Sequence, residues 1–479
     1  MGELQIYQNG KHVTWPFREP TPLFQLLEEA GFSIFRPCGG RGQCGKCAVG
    51  LWGAVSPPTK AEQAAGVRLA CQAVVRGDAV VILPFTAEES IETATVPVLM
   101  ERPVAGHVGA AVDLGTTTVV LRRYDLADGR LLGEASMVNP QASVAADVMG
   151  RIDAAMHGRA GALRAQITDA IKLLLHRAGG EADRFVVAGN TAMLYLLTGR
   201  DPAPLSCAPF EADFLFDREW DGAYFPPCMH AFVGADITCA VLASGMCEKG
   251  ETALLCDVGT NGEIALWKNG VLHVTSMAAG PAFEGAGISC GCSGIAGAVD
   301  RAWAEQGSVR IHTIDNAPAV GLCGSGLIDV LAVLISLGQM DETGALKKDP
   351  AVLDPHVMLS QRDVRAVQLA KAAVAAGIAT LLNDTDTECS EISRFYLAGG
   401  FGSRINLKSA ASIGLFPREL TEKACVLGNA ALAGAARLLL DRDSVGRIRK
   451  IAASSVHHEL GGTEFFHRRY VEEMYFPKE

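Results

Sequence analysis

At 479 residues the chain is longer than one hydrophobic core fills, so two or three domains are expected. Hydrophobic residues make up 49% and charged residues 20%, the balance of a packed globular protein and not of a disordered one. A formal net charge of −11 argues against wrapping nucleic acid or coating an anionic membrane.

The start, Met1-Gly2-Glu3-Leu4, lacks a basic stretch ahead of an apolar core, and no run of 18 apolar residues follows, so neither export nor membrane insertion is expected. Of 14 Cys, four crowd into residues 38–71 and the rest scatter through apolar runs, the usage of reduced thiols in a cytoplasmic protein.

Residues 1–85 read as a small β-rich unit with one helix. Leu4, Ile6, Val13 and Trp15 alternate around Asn9-Gly10, a hairpin signal. Thr21-Pro22 opens a helix whose apolar face is Leu23, Phe24, Leu26 and Leu27, with Gly31 ending it. A glycine-rich cysteine loop follows, and Val80 to Leu83 reads as a closing strand. Residues 86–105 have little periodicity, two Pro and several charges, and read as a linker.

The loop spaces its thiols as Cys38-x5-Cys44-x2-Cys47, with Cys71 further on. Thiolates at this density need a soft metal or a disulfide partner. Gly39, Gly40, Gly42 and Gly45 allow tight backbone that aims N–H groups at sulfur. Structural zinc and two disulfides are the alternatives. Zinc prefers two C-x2-C pairs whereas Cys71 stands alone, and disulfides conflict with a reducing compartment. A 2Fe–2S cluster on Cys38, Cys44, Cys47 and Cys71 fits best. The first gap is one residue longer than the plant-type spacing, whose clusters transfer single electrons at about −400 mV.

From about 107 the pattern becomes strands with glycine-rich ends alternating with helices, an α/β architecture. Three motifs recur in order. Asp113-Leu114-Gly115-Thr116-Thr117-Thr118 is echoed by Asp257-Val258-Gly259-Thr260-Asn261-Gly262-Glu263. Arg184 to Asn190 is echoed by Arg394 to Gly400, and Gly234-Ala235-Asp236 by Gly428-Asn429-Ala430, each before a small-residue helix. Two copies of one unit, 106–250 and 251–479, account for this, with extra residues between about 290 and 385 in the second.

A Gly/Thr turn after a strand exposes N–H and hydroxyl groups to phosphate oxygens, and an Asp at the strand end can hold the water shell of Mg²⁺. Two such loops from two related units can clamp a triphosphate. Gly324-Ser325-Gly326 is read as a helix N-terminus presented to nucleotide, with a tight turn as the alternative, and Ala279 to Gly285 leaves the same choice open. Asn190 either faces the cleft or caps the next helix.

Both Asp-Gly-Thr loops, Ala398-Gly399-Gly400-Phe401-Gly402 and the two small-residue helices resemble the superfamily of acetate and sugar kinases, heat-shock chaperones and actin. The resemblance implies that Asp113, Gly115, Thr116, Thr117 and Thr118 form the first phosphate loop. It makes Asp257, Gly259, Thr260, Asn261, Gly262 and Glu263 the second, with Gly399, Gly400 and Phe401 contacting adenosine. Asp236, opening its helix, becomes the candidate to orient Mg²⁺ or the attacking water, with a capping Asp as the alternative. The implied fold class is an α+β, β-grasp ferredoxin-like domain followed by a duplicated α/β actin-like ATPase, two ribonuclease-H-like subdomains around a nucleotide cleft.

An electron donor tethered to an ATPase is chemically specific, since sugar kinases need no electron and ferredoxins no ATP. Domains in this order resemble the reductive activators of corrinoid-dependent methyltransferase systems. The resemblance implies one-electron reduction of an inactive Co(II) corrinoid protein to Co(I), with ATP, Mg²⁺ and the 2Fe–2S cluster as cofactors. It also implies an external reductase or ferredoxin as donor, and leaves a homodimer open. Some members carry a further domain where this chain has only the 86–105 segment. Two rivals stand beside it: an activator of a 2-hydroxyacyl-CoA dehydratase, and a redox-sensing actin- or chaperone-like binding module.

Overall fold

The computed structural model describes residues 2–8, 11–32, 40–42, 47–65, 67–83, 106–259, 261–402 and 404–478. They form two compact bodies, one from Met1–Glu89 with Pro140–Ala154, the other from Ser90–Asn139 with Ala155–Glu479. The 86–105 linker reading and the Asn9-Gly10 turn fall outside the described residues.

In the first body, Leu4 and Ile6 are buried while the alternate Glu3 and Tyr7 are exposed, the period-2 pattern of a half-buried strand. Strands Gly2–Gln8 and Lys11–Phe17 pair antiparallel with Gln8 opposite Lys11, which leaves a two-residue connection. Gly2–Gln8 also runs parallel to Val74–Ile82, which pairs antiparallel with Ala48–Val55. Helix Leu23–Glu29 starts behind Pro22, whose φ of −58° suits the position, and drives Leu23, Leu26 and Leu27 into the same core as Leu4, Ile6 and Val81. Gly31, at φ +83°, turns the chain out of it. This is the β-grasp arrangement.

The second body carries the repeat as two matching six-stranded sheets. In the first lobe, Val108–Leu114 lies between Arg184–Gly189, parallel to it, and its own hairpin partner Thr118–Asp125. In the second, Ala253–Val258 lies between Arg394–Ala398, again parallel, and hairpin partner Gly262–Lys268. Even the register repeats: Asp113 faces Ala188, and Asp257 faces Ala398.

Each lobe sends one helix to the junction, Ala235–Ser244 and Ala430–Leu440. They cross backbone to backbone, because a Cβ on Gly434 would lie 2.1 Å from the carbonyl oxygen of Cys239. The extra residues of the second lobe build a small sheet from Ala298–Glu305, Ser308–Thr313 and Gly321–Leu322, a helix Gly324–Ser336, and a hairpin of Ala351–Asp354 with Val357–Leu359. The long helix Gln361–Asp384 is apolar enough to span a bilayer by composition, yet it is a core helix here. Its central Lys371 is fully buried and donates to the carbonyl oxygens of Glu473 and Tyr475, clamping the C-terminal segment.

Candidate functional site

The loop of residues 113–118 is held from three sides. The Asn139 side chain donates to the Gly115 carbonyl at 2.9 Å, and its backbone N–H to the Thr117 carbonyl at 2.8 Å. Asn190 caps helix Thr191–Thr198 by accepting from the Met193 N–H, and its Nδ2 donates to Thr116 Oγ1 at 2.9 Å. The capping reading of Asn190 therefore holds, and its amide also reaches the Thr116 hydroxyl. Thr117 Oγ1 donates to Glu284 Oε2 at 2.9 Å, and Asn429 Nδ2 donates to Asp113 Oδ2 at 2.8 Å, so two bonds cross from the first loop to the second lobe.

In the second loop, Gly259 N–H donates to the Asn261 carbonyl at 3.0 Å, and Glu263 faces Asp257 across the hairpin. Thr260 lies outside the described residues. Gly399, at φ +83°, passes so close to Asp257 that a Cβ would lie 2.3 Å from Oδ1. Gly399–Gly402 forms a short helical turn behind strand Arg394–Ala398, and the Phe401 side chain is outside what is described. Gly324 and Ser325 begin helix Gly324–Ser336 in a buried position, and a Cβ on Gly326 would lie 2.0 Å from the Val299 carbonyl oxygen. Close helix–strand packing thus requires glycine at 326.

Asp236 is not the residue that opens its helix, contrary to the sequence reading. The helix begins at Ala235 with Gly234 as cap, because the chain there runs against the first lobe's strand end and a Cβ on Gly234 would lie 2.4 Å from Asn190 Cα. Asp236 sits in the first turn with Oδ1 accepting from the Ile237 N–H at 2.8 Å.

Four carboxylates lie within electrostatic reach of one another. Burial pushes Asp113 up from 3.8 to about 6, against the opposing Asn429 bond. Burial, then the charges of Asp113 and Glu284, push Asp257 to about 7. Asp236 is raised by burial and by Asp113 and Asp257, and Glu263 by burial and by Asp236 and Asp257. Such a cluster suits a divalent cation, which would relieve the mutual repulsion. Among the described residues no three His, Cys, Asp or Glu side chains converge on one point as a direct metal site requires.

In the first body Cys47 is buried and Cys71 half-buried. The Ala70 N–H donates to the Cys47 carbonyl at 2.8 Å, joining the two segments. Buried Glu62 accepts from the N–H of Thr59 and of Leu69 and from Arg68 Nε, fixing the arm that leads to Cys71. Gln72 Nε2 donates to the Gly40 carbonyl at 2.7 Å, so it ties Cys71's neighbour to the cysteine loop. Cys38 and Cys44 lie outside the described residues.

Sequence reasoning missed Asn139, Glu62 and Gln72 as supporting residues, and missed Asn429 as the partner of Asp113. Asn429 had a signal, its place in the repeated Gly-Asn-Ala segment. Asn139, directly after a strand and before Pro140, had only a weak one.

Fold and site define an iron–sulfur electron carrier fused to a two-lobed, actin-like ATPase. Residues 6–76 match the model of the 2Fe-2S iron-sulfur cluster binding domain, 108–249 the RACo middle region, and 251–479 the C-terminal domain of RACo, the ASKHA domain. The "Corrinoid activation enzyme RamQ" of Eubacterium limosum is 31% identical over 421 residues, covering 78% of this chain and 70% of that protein. The "[Co(II) methylated amine-specific corrinoid protein] reductase" of Methanosarcina barkeri is 26% identical over 273 residues, 52% of this chain and about half, 50%, of that protein's length. A solved structure titled "Reductive activator for corrinoid,iron-sulfur protein" superposes with a TM-score of 0.70 at 26% identity, covering 99% of this chain and 98% of that one. The chain belongs to this family of RACo-type corrinoid-activating proteins. It carries a 2Fe–2S domain, and its first lobe is what the family models describe as the middle region.

Proposed function

We propose that the protein couples ATP hydrolysis to one-electron reduction of a corrinoid protein, returning inactive Co(II) to Co(I) for a corrinoid-dependent methyltransferase system. The observation that carries the nucleotide half is the pair of loops from duplicated lobes, tied across their junction by Asn429–Asp113 and Thr117–Glu284. In this reading Gly115, Thr116, Thr117 and Thr118 face Gly259, Thr260, Asn261 and Gly262 across a triphosphate. Asp113, Asp236 and Asp257, with Glu263, orient the water shell of Mg²⁺. Gly399, Gly400 and Phe401, with Gly324 and Ser325, contact the nucleoside. Cys38, Cys44, Cys47 and Cys71 hold the cluster, which supplies single-electron transfer when bound. A nucleotide cycle can favour one protein–partner complex over another, and each ~59 mV of one-electron potential corresponds to about 1.4 kcal/mol.

The reading places the protein in the cytoplasm, with an external reductase or ferredoxin as donor and with a homodimer as one arrangement. Asp257→Ala is expected to abolish ATP-dependent Co(I) formation while the visible spectrum of the cluster stays intact. Activation that survives the substitution refutes the reading of that loop. Stimulation of ATPase activity by a Co(II) corrinoid protein, and not by unfolded peptide or by a dehydratase, separates this reading from its two rivals.

A further inference from the structure

We infer that Glu284 is a catalytic residue of ATP hydrolysis, its carboxylate accepting the hydrogen bond that aims the attacking water. The inference rests on the ATPase reading above. Glu284 ends the helical turn Pro281–Glu284, flanked by Gly280 at φ +79° and Gly285 at φ +77°. That turn has no slack. A Cβ on Gly285 would lie 2.7 Å from the backbone nitrogen and oxygen of Cys292, and Ala282 and Phe283 are packed into the core of the second lobe. The backbone is thereby fixed while the carboxylate leaves the core.

One of its oxygens accepts from Thr117 Oγ1 of the first loop at 2.9 Å. The other lies 3.4 Å from where a Cβ on Gly259 of the second loop would be. The carboxylate therefore stands between the two phosphate loops, at the place where a terminal phosphoryl group gripped by both must end. The charges of Asp113 and Asp257 act on Asp236, those of Asp236 and Asp257 on Glu263, and those of Asp113 and Glu284 on Asp257. The four are placed to serve the cation, and Glu284, at their edge, is placed to serve the nucleophile. The Thr117 hydroxyl oxygen that it holds marks a position an attacking water can take once Thr117 turns to phosphate.

In the step itself the water oxygen bonds to the γ-phosphorus as the bond from that phosphorus to the β–γ bridging oxygen breaks. ADP leaves with the electron pair, and the water's proton ends on the released inorganic phosphate. Glu284 orients the water by accepting its hydrogen bond, a role typically worth 10²-fold or more in rate.

The test uses the full-length, cluster-loaded protein with ATP, measuring steady-state hydrolysis and, separately, the Kd of a fluorescent ATP analogue. Glu284→Gln keeps the size and can still accept from Thr117, yet is a weaker acceptor for water. Its kcat is expected to fall by about 10²-fold while Kd moves less than about threefold. Thr117→Val is expected instead to raise Kd. If Glu284 merely holds Thr117 in place, the two variants will share one phenotype, with affinity and rate falling together. That result, or a Glu284→Gln kcat within about threefold of wild type, overturns the inference. A wild-type protein that hydrolyses ATP without reducing a corrinoid overturns the proposed function and leaves this test in force; one that hydrolyses no ATP overturns both.

Discussion

Replacing Asp257 with Asn is expected to make the nucleotide-free protein more stable as it destroys activation. Asp257 rises from 3.8 to about 7 because protein surrounds it and because Asp113 and Glu284 repel its charge. A pKa raised in the folded state means the native protein binds the proton more tightly than the unfolded chain does. That contribution is whole below pH 4 and is lost as pH climbs through 7. At 1.36 kcal/mol per pKa unit, a rise of that size corresponds to about 4 kcal/mol by pH 8. Asp257 is only half-buried, so water screening brings the figure to roughly 2 kcal/mol. Asn has the same shape without the charge. Asp257→Asn should therefore gain about 2 kcal/mol at pH 8 and almost nothing at pH 4.5. Urea unfolding of the ATPase body, with EDTA present, measures this across pH. Saturating Mg²⁺ and ATP should stabilise wild type and not the variant. An equal gain at both pH values, or no gain at pH 8, refutes the electrostatic account.

Two further outcomes follow from close contacts. Gly399→Ala places a methyl 2.3 Å from Asp257 Oδ1 at a φ of +83°, so the turn must shift; calorimetric ATP affinity should fall at least tenfold, with a loss of 1–3 kcal/mol in stability on the order seen for strained backbone. Glu62→Gln leaves Arg68 without its carboxylate and weakens the bonds to Thr59 and Leu69, costing about 1–3 kcal/mol; iron content and visible absorbance per chain should drop while ATP hydrolysis by the other body is unchanged.

How far the sequence reveals this site depends on what carries each part. Motifs that are local in sequence were legible: the 2Fe-2S domain, both strand-end Asp-Gly-Thr turns, the hairpin around Asn9-Gly10 and the helix behind Pro22. The repeat was legible because related strands keep related residues, and the shared register of Asp113 with Ala188 and of Asp257 with Ala398 is its physical counterpart. Contacts between distant segments were not legible. Asn429 meets Asp113 across 316 positions and Thr117 meets Glu284 across 167, and no local pattern announces either. The place of Asp236 was misread because helix capping was inferred from side-chain type, while steric closeness to Asn190 demanded glycine at the cap.

The duplication also explains why two equivalent aspartates differ. The caps of the two junction helices are Gly234 in the first lobe and Asn429 in the second. Asn429 can cap its helix and still donate to Asp113, which offsets part of that carboxylate's burial. Gly234, the cap of the first-lobe helix, has no side chain to offer such a bond and no room for one. Asp257 meets instead the charge of Glu284 and stands higher, at about 7 against about 6 for Asp113. One copy of the strand end thus accepts a hydrogen bond from protein while the other faces like charge. In the proposed reading a bound metal–nucleotide complex would therefore relieve more repulsion at Asp257 than at Asp113.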